Sequence, residues 1–100
     1  MKELTKEIFE KTINAEEKCI VDFWAPWCGP CRALAPVLED INSEIPVYKV
    51  NIDDEPELGM KFNIQSIPTL LYVSKGDVKG KSLGALSKIQ IQENLKKFFQ

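Results

Sequence analysis

Cys19-Ile20-Val21-Asp22-Phe23-Trp24-Ala25-Pro26-Trp27-Cys28-Gly29-Pro30-Cys31 is the stretch that decides the fold. Its first six residues are apolar without alternation, Asp22 excepted, which is the pattern of a strand buried on both faces. Ala25-Pro26-Trp27 reads as a short loop. Leu34, Val37, Leu38 and Ile41 then fall on one side of a helix expected from about Cys28 to Glu44. Pro36 lies inside that helix, lacks one donor and crowds the preceding turn, so a kink is expected there.

The same alternation extends in both directions. Upstream, Thr5 is placed to cap a helix whose inner face carries Ile8, Phe9, Thr12 and Ile13. Downstream, Val47 to Asp53 reads as a second strand, and Asp54-Glu55-Pro56-Glu57 as the start of a short helix with Leu58 and Phe62 on one side. Pro68 opens a third strand, Thr69 to Ser74, and Lys75-Gly76-Asp77 turns the chain into Val78 to Leu83. Lys79 and Lys81 mark this last strand as a protected edge. Gly84 interrupts the chain, and Ser87 with Gln90 forms a capping box for a final helix. That helix presents Ile91, Leu95, Phe98 and Phe99 on one face, with Lys96 and Lys97 near its negative end. Early strand–helix alternation implies parallel strands joined by crossovers, and the late hairpin adds an antiparallel edge. The expected fold class is α/β, a central mixed sheet with helices on both faces.

Composition narrows the functions open to such a chain. One hundred residues imply one domain, spanning 1–100, with a core that needs no structural staples. A formal net charge of −2 leaves no footprint for nucleic acid and no polybasic membrane patch. Met1-Lys2-Glu3-Leu4 begins on charge rather than on the apolar core of a signal peptide, so a cytoplasmic location is expected. Histidine is absent, which removes Ser-His and Cys-His catalysis and the commonest metal ligand. Three cysteines cannot form a fully paired framework.

Cys28-Gly29-Pro30-Cys31 puts two thiols on one face of a first helical turn, where they can join or separate with little backbone change. Half a zinc site is one reading, but only Cys19 and carboxylates remain to complete four ligands, so no metal is expected. A permanently closed structural disulfide is a second. The third is a redox pair, the usual meaning of this spacing directly after a strand and opening a helix. The free N–H groups and positive end of the helix favour a thiolate at Cys28, which makes it the expected nucleophile. Cys31 points back into the turn and is expected to be less accessible. Pro30 costs nothing in a first turn, and Gly29 leaves the approach to sulfur open. Asp22 is the chemically odd residue, since a carboxylate in a buried apolar strand is costly to ionise and its pKa should rise. Lys49 is one of the few charges inside an otherwise apolar strand, where snorkelling to the surface is the plain reading. Cys19 reads as a small buried hydrophobe.

Val21 to Arg32 resembles the active-site segment of the thioredoxin family. The resemblance continues through Ala35-Pro36, Lys49-Val50-Asn51-Ile52-Asp53, Ile67-Pro68-Thr69-Leu70 and Leu83-Gly84-Ala85-Leu86-Ser87, and so covers nearly the whole chain. It implies a five-stranded sheet flanked by four helices. It implies a general protein-disulfide reductase and electron carrier that acts on disulfide-containing proteins and is recharged by a thioredoxin reductase. Such a protein would be a monomer with no bound cofactor, its redox group being the Cys28–Cys31 disulfide. Cys28 would attack and Cys31 would resolve. Asp22 would take the proton from Cys31, and Lys49 would favour the ionised Asp22. Trp27, Ile67, Pro68 and Gly84 would form the docking rim, with a cis bond before Pro68 and backbone pairing at Ile67. Relatives that oxidise or shuffle disulfides usually carry a His before the second cysteine, so Gly29-Pro30 implies an electron donor.

Overall fold

A computed structural model describes residues 1–100. In chain order the elements are β1 (Lys2–Glu3), α1 (Lys6–Ala15), β2 (Cys19–Trp24), α2 (Gly29–Ile41), β3 (Val47–Asn51), α3 (Pro56–Lys61), β4 (Thr69–Ser74), β5 (Asp77–Leu83) and α4 (Lys88–Phe98). The strands form one five-stranded sheet in the order β1-β3-β2-β4-β5. β1 and β2 each pair parallel with β3, whereas β4 runs antiparallel to both β2 and β5. The central place of β2 accounts for its unbroken apolar run: Cys19 through Phe23 are all buried.

Alternation along β2 divides the core into two layers. Val21 and Phe23 pack on one face with Phe9 and Ile13 of α1 and Leu58 of α3. Phe62 joins this layer, its ring centroid 5.3 Å from that of Phe9 and 5.9 Å from that of Phe23. On the other face Ile20 packs with Leu34, Leu38 and Ile41 of α2 and Ile91 of α4. Burial of these large side chains, at roughly 1.5–3 kcal/mol each, is what holds the helices to the sheet.

Several local expectations change in the folded chain. Thr5 occupies the N-cap position of α1 but makes no side-chain cap. The Lys6 N–H is instead satisfied by Glu55 Oε1 at 2.6 Å, a carboxylate delivered from the start of α3. β3 ends at Asn51, two residues short of the expected Asp53, because Asn51 Oδ1 turns inward to accept the Asp53 N–H at 2.9 Å. α2 ends at Ile41 and runs through Pro36 without a break in the helix. β1 has no signal in the sequence, being two exposed charged residues, and exists because its backbone pairs with Tyr48 and Lys49. Lys75 and Gly76 both take positive φ, 49° and 85°, the geometry of a tight hairpin turn whose twist matches its strands. The Ser87–Gln90 capping box of α4 is complete.

Candidate active site

The loop after β2 delivers Cys28 as the N-cap of α2, and Cys31 follows one turn later. The two are joined as a disulfide with Cα atoms 5.2 Å apart. Cys31 N–H donates to Cys28 Sγ at 3.2 Å, so a helix-start donor that would otherwise lack a partner is aimed at this sulfur. Cys28 Sγ also lies 3.8 Å from the Ile67 carbonyl oxygen. Trp27, Gly29 and Pro30 are exposed around the pair, while the cysteines are sheltered, Cys28 at 5% exposure and Cys31 at 2%. The expected contrast in access is therefore small in the oxidised pair. A side chain at Gly29 would project into open space, meeting nothing within 4 Å.

Behind the pair lies Asp22. Backbone register places Glu3, Lys49, Asp22, Leu70 and Ser82 in one row across the five strands. Register partners share a face of the sheet, and here that face is the one covered by α2. Ile20, two residues before Asp22, packs under the middle of α2, and Trp24, two residues after, packs against Cys28 and Cys31. Asp22 is thus held beneath the first turns of α2. It is buried, and neither carboxylate oxygen has a hydrogen-bond partner. Burial pushes its pKa up to about 7, against the pull of Lys49, with Glu3 adding to the rise. The Lys49 ammonium makes no ion pair with Asp22 and instead rests 4.0 Å above the Trp24 ring.

The rim surrounds Cys28 from separate segments. Trp27 is 66% exposed, and its indole N–H donates to Asp53 Oδ2 at 2.9 Å. The Ile67–Pro68 bond is cis, Pro68 is buried, and half-buried Ile67 packs against the cysteine cluster. Gly84 N–H donates to the Pro68 carbonyl at 2.9 Å. Gly84 has φ +86°, and a side chain there would project into open space. That position favours glycine for its backbone.

All the residues singled out in the sequence thus converge on one end of the sheet, except Cys19. Cys19 sits in the α1 layer, where burial pushes its thiol up to about 12. Three contributors were not legible. Asp53 anchors Trp27, Ile52 packs against the cysteine cluster, and the Arg32 guanidinium ties α2 back to the Pro26 carbonyl at 3.0 Å. The first two come from the turn that follows β3, and only packing brings them there. No group of three or more His, Cys, Asp or Glu side chains is placed to hold a metal ion. The largest cavity, about 560 Å³, lies elsewhere, between the ends of α1 and α4 beside Ile45 and Phe99. No helix is long and apolar enough to cross a membrane.

Residues 1–97 match the family model described as Thioredoxin. The chain is 45% identical over 98 residues to a thioredoxin of Buchnera aphidicola subsp. Baizongia pistaciae (strain Bp), covering 93% of this chain and 90% of that protein. It is 41% identical over 93 residues to the chloroplastic M-type thioredoxin of Pisum sativum, covering 89% of this chain and 54% of that protein. The Spinacia oleracea M-type protein is 40% identical over 93 residues, covering 89% of this chain and 51% of that protein. The chain therefore spans about half the length of the two plant relatives. The chain belongs to the thioredoxin family. Within that family, a cysteine pair at disulfide distance fits dithiol–disulfide exchange.

Proposed function

We propose that the protein is a general protein-disulfide reductase and electron carrier. A substrate disulfide docks on Trp27, Ile67, Pro68 and Gly84, its backbone pairing with that of Ile67. The Cys28 thiolate attacks one substrate sulfur. The substrate S–S bond breaks, its other sulfur leaves as a thiolate and takes up a proton, and a mixed disulfide joins Cys28 to the attacked sulfur. Asp22, in its ionised form, takes the Cys31 proton through water, with Lys49 favouring that ionised form from the neighbouring strand. The Cys31 thiolate attacks Cys28 Sγ, and the substrate sulfur bound to Cys28 leaves and takes up a proton. Two electrons have passed to the substrate, and Cys28–Cys31 is oxidised. A thioredoxin reductase restores the dithiol. No bound cofactor takes part, since the sulfurs carry both electrons. The chain acts as a monomer in a reducing compartment, the cytoplasm. Gly29-Pro30 places no charge between the cysteines to stabilise the reduced form, which favours donation of electrons.

The observation that carries this reading is the disulfide at the start of α2, backed by a buried carboxylate without a partner. The test is insulin-disulfide reduction by dithiothreitol with catalytic amounts of the protein. Acceleration that disappears in Cys28→Ser is expected, and no acceleration by the intact protein would overturn the reading. Cys31→Ser should accumulate mixed disulfides through Cys28. A measured potential near that of oxidising relatives would reverse the proposed direction of electron flow.

A further inference from the structure

Glu3 is exposed and sits on the short edge strand β1, where nothing in the sequence marks it for function. The fold gives it an unusual position. It is the register partner of Lys49, which is in turn the register partner of Asp22. The row across the sheet thus reads acid, base, acid, with the last acid buried and unpartnered. Strands lie about 4.8 Å apart, so two steps place the Glu3 backbone roughly 10 Å from that of Asp22. Glu3 Oε1 also accepts a hydrogen bond from the Trp24 indole N–H at 3.3 Å. Trp24 carries the Lys49 ammonium on its ring and packs against the cysteine cluster.

We propose that Glu3 is a positioning residue for the resolving step: it holds the Trp24 indole that carries Lys49, and sets a second negative charge in line with Asp22. The proposal rests on the reading that Asp22 serves Cys31. By holding Trp24, Glu3 keeps Lys49 over the indole ring instead of closing an ion pair with Asp22. Its own charge opposes ionisation of Asp22 through the sheet. Both effects keep Asp22 basic enough to accept a thiol proton, and the direction agrees with the contribution of Glu3 to the rise at Asp22. The other titratable neighbours on this face are few. α2 contributes Cys28 and Cys31, while its Arg32 is turned onto Pro26. β4 contributes apolar Leu70 and the hydroxyl of Tyr72, which pairs with the Ser82 hydroxyl of β5 at 2.9 Å. α4 packs apolar residues on this face, led by Ile91, together with the neutral amide of Asn94, which donates to the Tyr72 hydroxyl at 3.1 Å.

The test is an NMR titration of the Asp22 carboxyl in the oxidised protein, where the cysteines do not titrate, in wild type, Glu3→Gln and Glu3→Ala. Glu3→Gln keeps an oxygen for the Trp24 N–H and removes the charge. It should lower the Asp22 midpoint by about 0.3 pH unit or more and leave Trp24 fluorescence unchanged. Glu3→Ala should lower the midpoint at least as far and also shift Trp24 fluorescence. The pH profile of mixed-disulfide resolution should move down with the midpoint in both variants. An Asp22 midpoint unmoved in Glu3→Gln, or moved upward, overturns the proposal. A midpoint that moves while the resolution profile stays fixed also overturns it. Asp22→Ala resolving mixed disulfides at the wild-type rate would instead defeat the role given to Asp22 itself, a separate failure.

Discussion

Along β2, Val21 and Phe23 face α1 and α3, whereas Ile20, Asp22 and Trp24 face α2. In the first layer the buried polar group is Thr69, whose hydroxyl donates to the Ser66 carbonyl at 2.7 Å. In the second, both oxygens of Asp22 lack a partner. The two layers share a backbone and differ in what they tolerate. One maximises apolar contact. The other gives up stability at a single residue beside the only disulfide, and buried groups held this way tend to mark chemistry rather than support.

The comparison breaks most sharply at Cys28. Cys28→Ser should abolish insulin reduction while the reduced proteins unfold at nearly the same denaturant concentration. Phe23→Ala attacks the opposite layer and should do the reverse. Removing a fully buried ring in contact with Phe62 should cost about 3–5 kcal/mol in denaturant unfolding. The potential of the Cys28–Cys31 couple should hardly move.

Asp22→Ala should sharpen the contrast through pH. The folded carboxyl titrates at about 7, above its ordinary range, so ionising it costs stability. Below about pH 4 the group is protonated in folded and unfolded chains alike, and no penalty applies. The penalty grows as pH rises from there to the folded value and is constant above it. The variant should therefore gain stability over wild type progressively between those limits, by at most about 4 kcal/mol. The void left by the smaller side chain subtracts from that gain. Unfolding curves at pH 4 and pH 8 check the sign, and a variant less stable than wild type at pH 8 would refute the burial penalty. Resolution of mixed disulfides should slow in the same variant.

The smallest effect belongs to the rim. Asp53→Ala frees the Trp27 indole and should raise KM for a protein disulfide by about two- to tenfold, the worth of one hydrogen bond, with kcat little changed. An equal fall in kcat would place Asp53 nearer the chemistry than its contact with Trp27 suggests.

Much of this arrangement was legible before any coordinates. The unbroken apolar run at Cys19–Trp24, the helical spacing after Cys28 and the hairpin at Lys75-Gly76 are local patterns, and each became the expected element. The cysteine spacing and the misplaced carboxylate at Asp22 are local as well. What stayed hidden depends on contacts between distant segments. β1 has no pattern of its own and forms only against β3. Thr5 had the right chemistry to cap α1, yet the N–H is taken by Glu55, 49 residues from Lys6.

The amino-acid order alone determined which residues are proposed to carry reactivity, because thiol spacing at a helix start and an acid in an apolar strand are properties of neighbours along the chain. Only the tertiary structure decided how those groups are held. Register across β1, β3 and β2 aligned Glu3, Lys49 and Asp22, and packing set Trp27 on Asp53 and Gly84 against Pro68. The physical reason is that a buried charge takes its energy from its surroundings, and these surroundings come from five strands that meet only when the chain is folded.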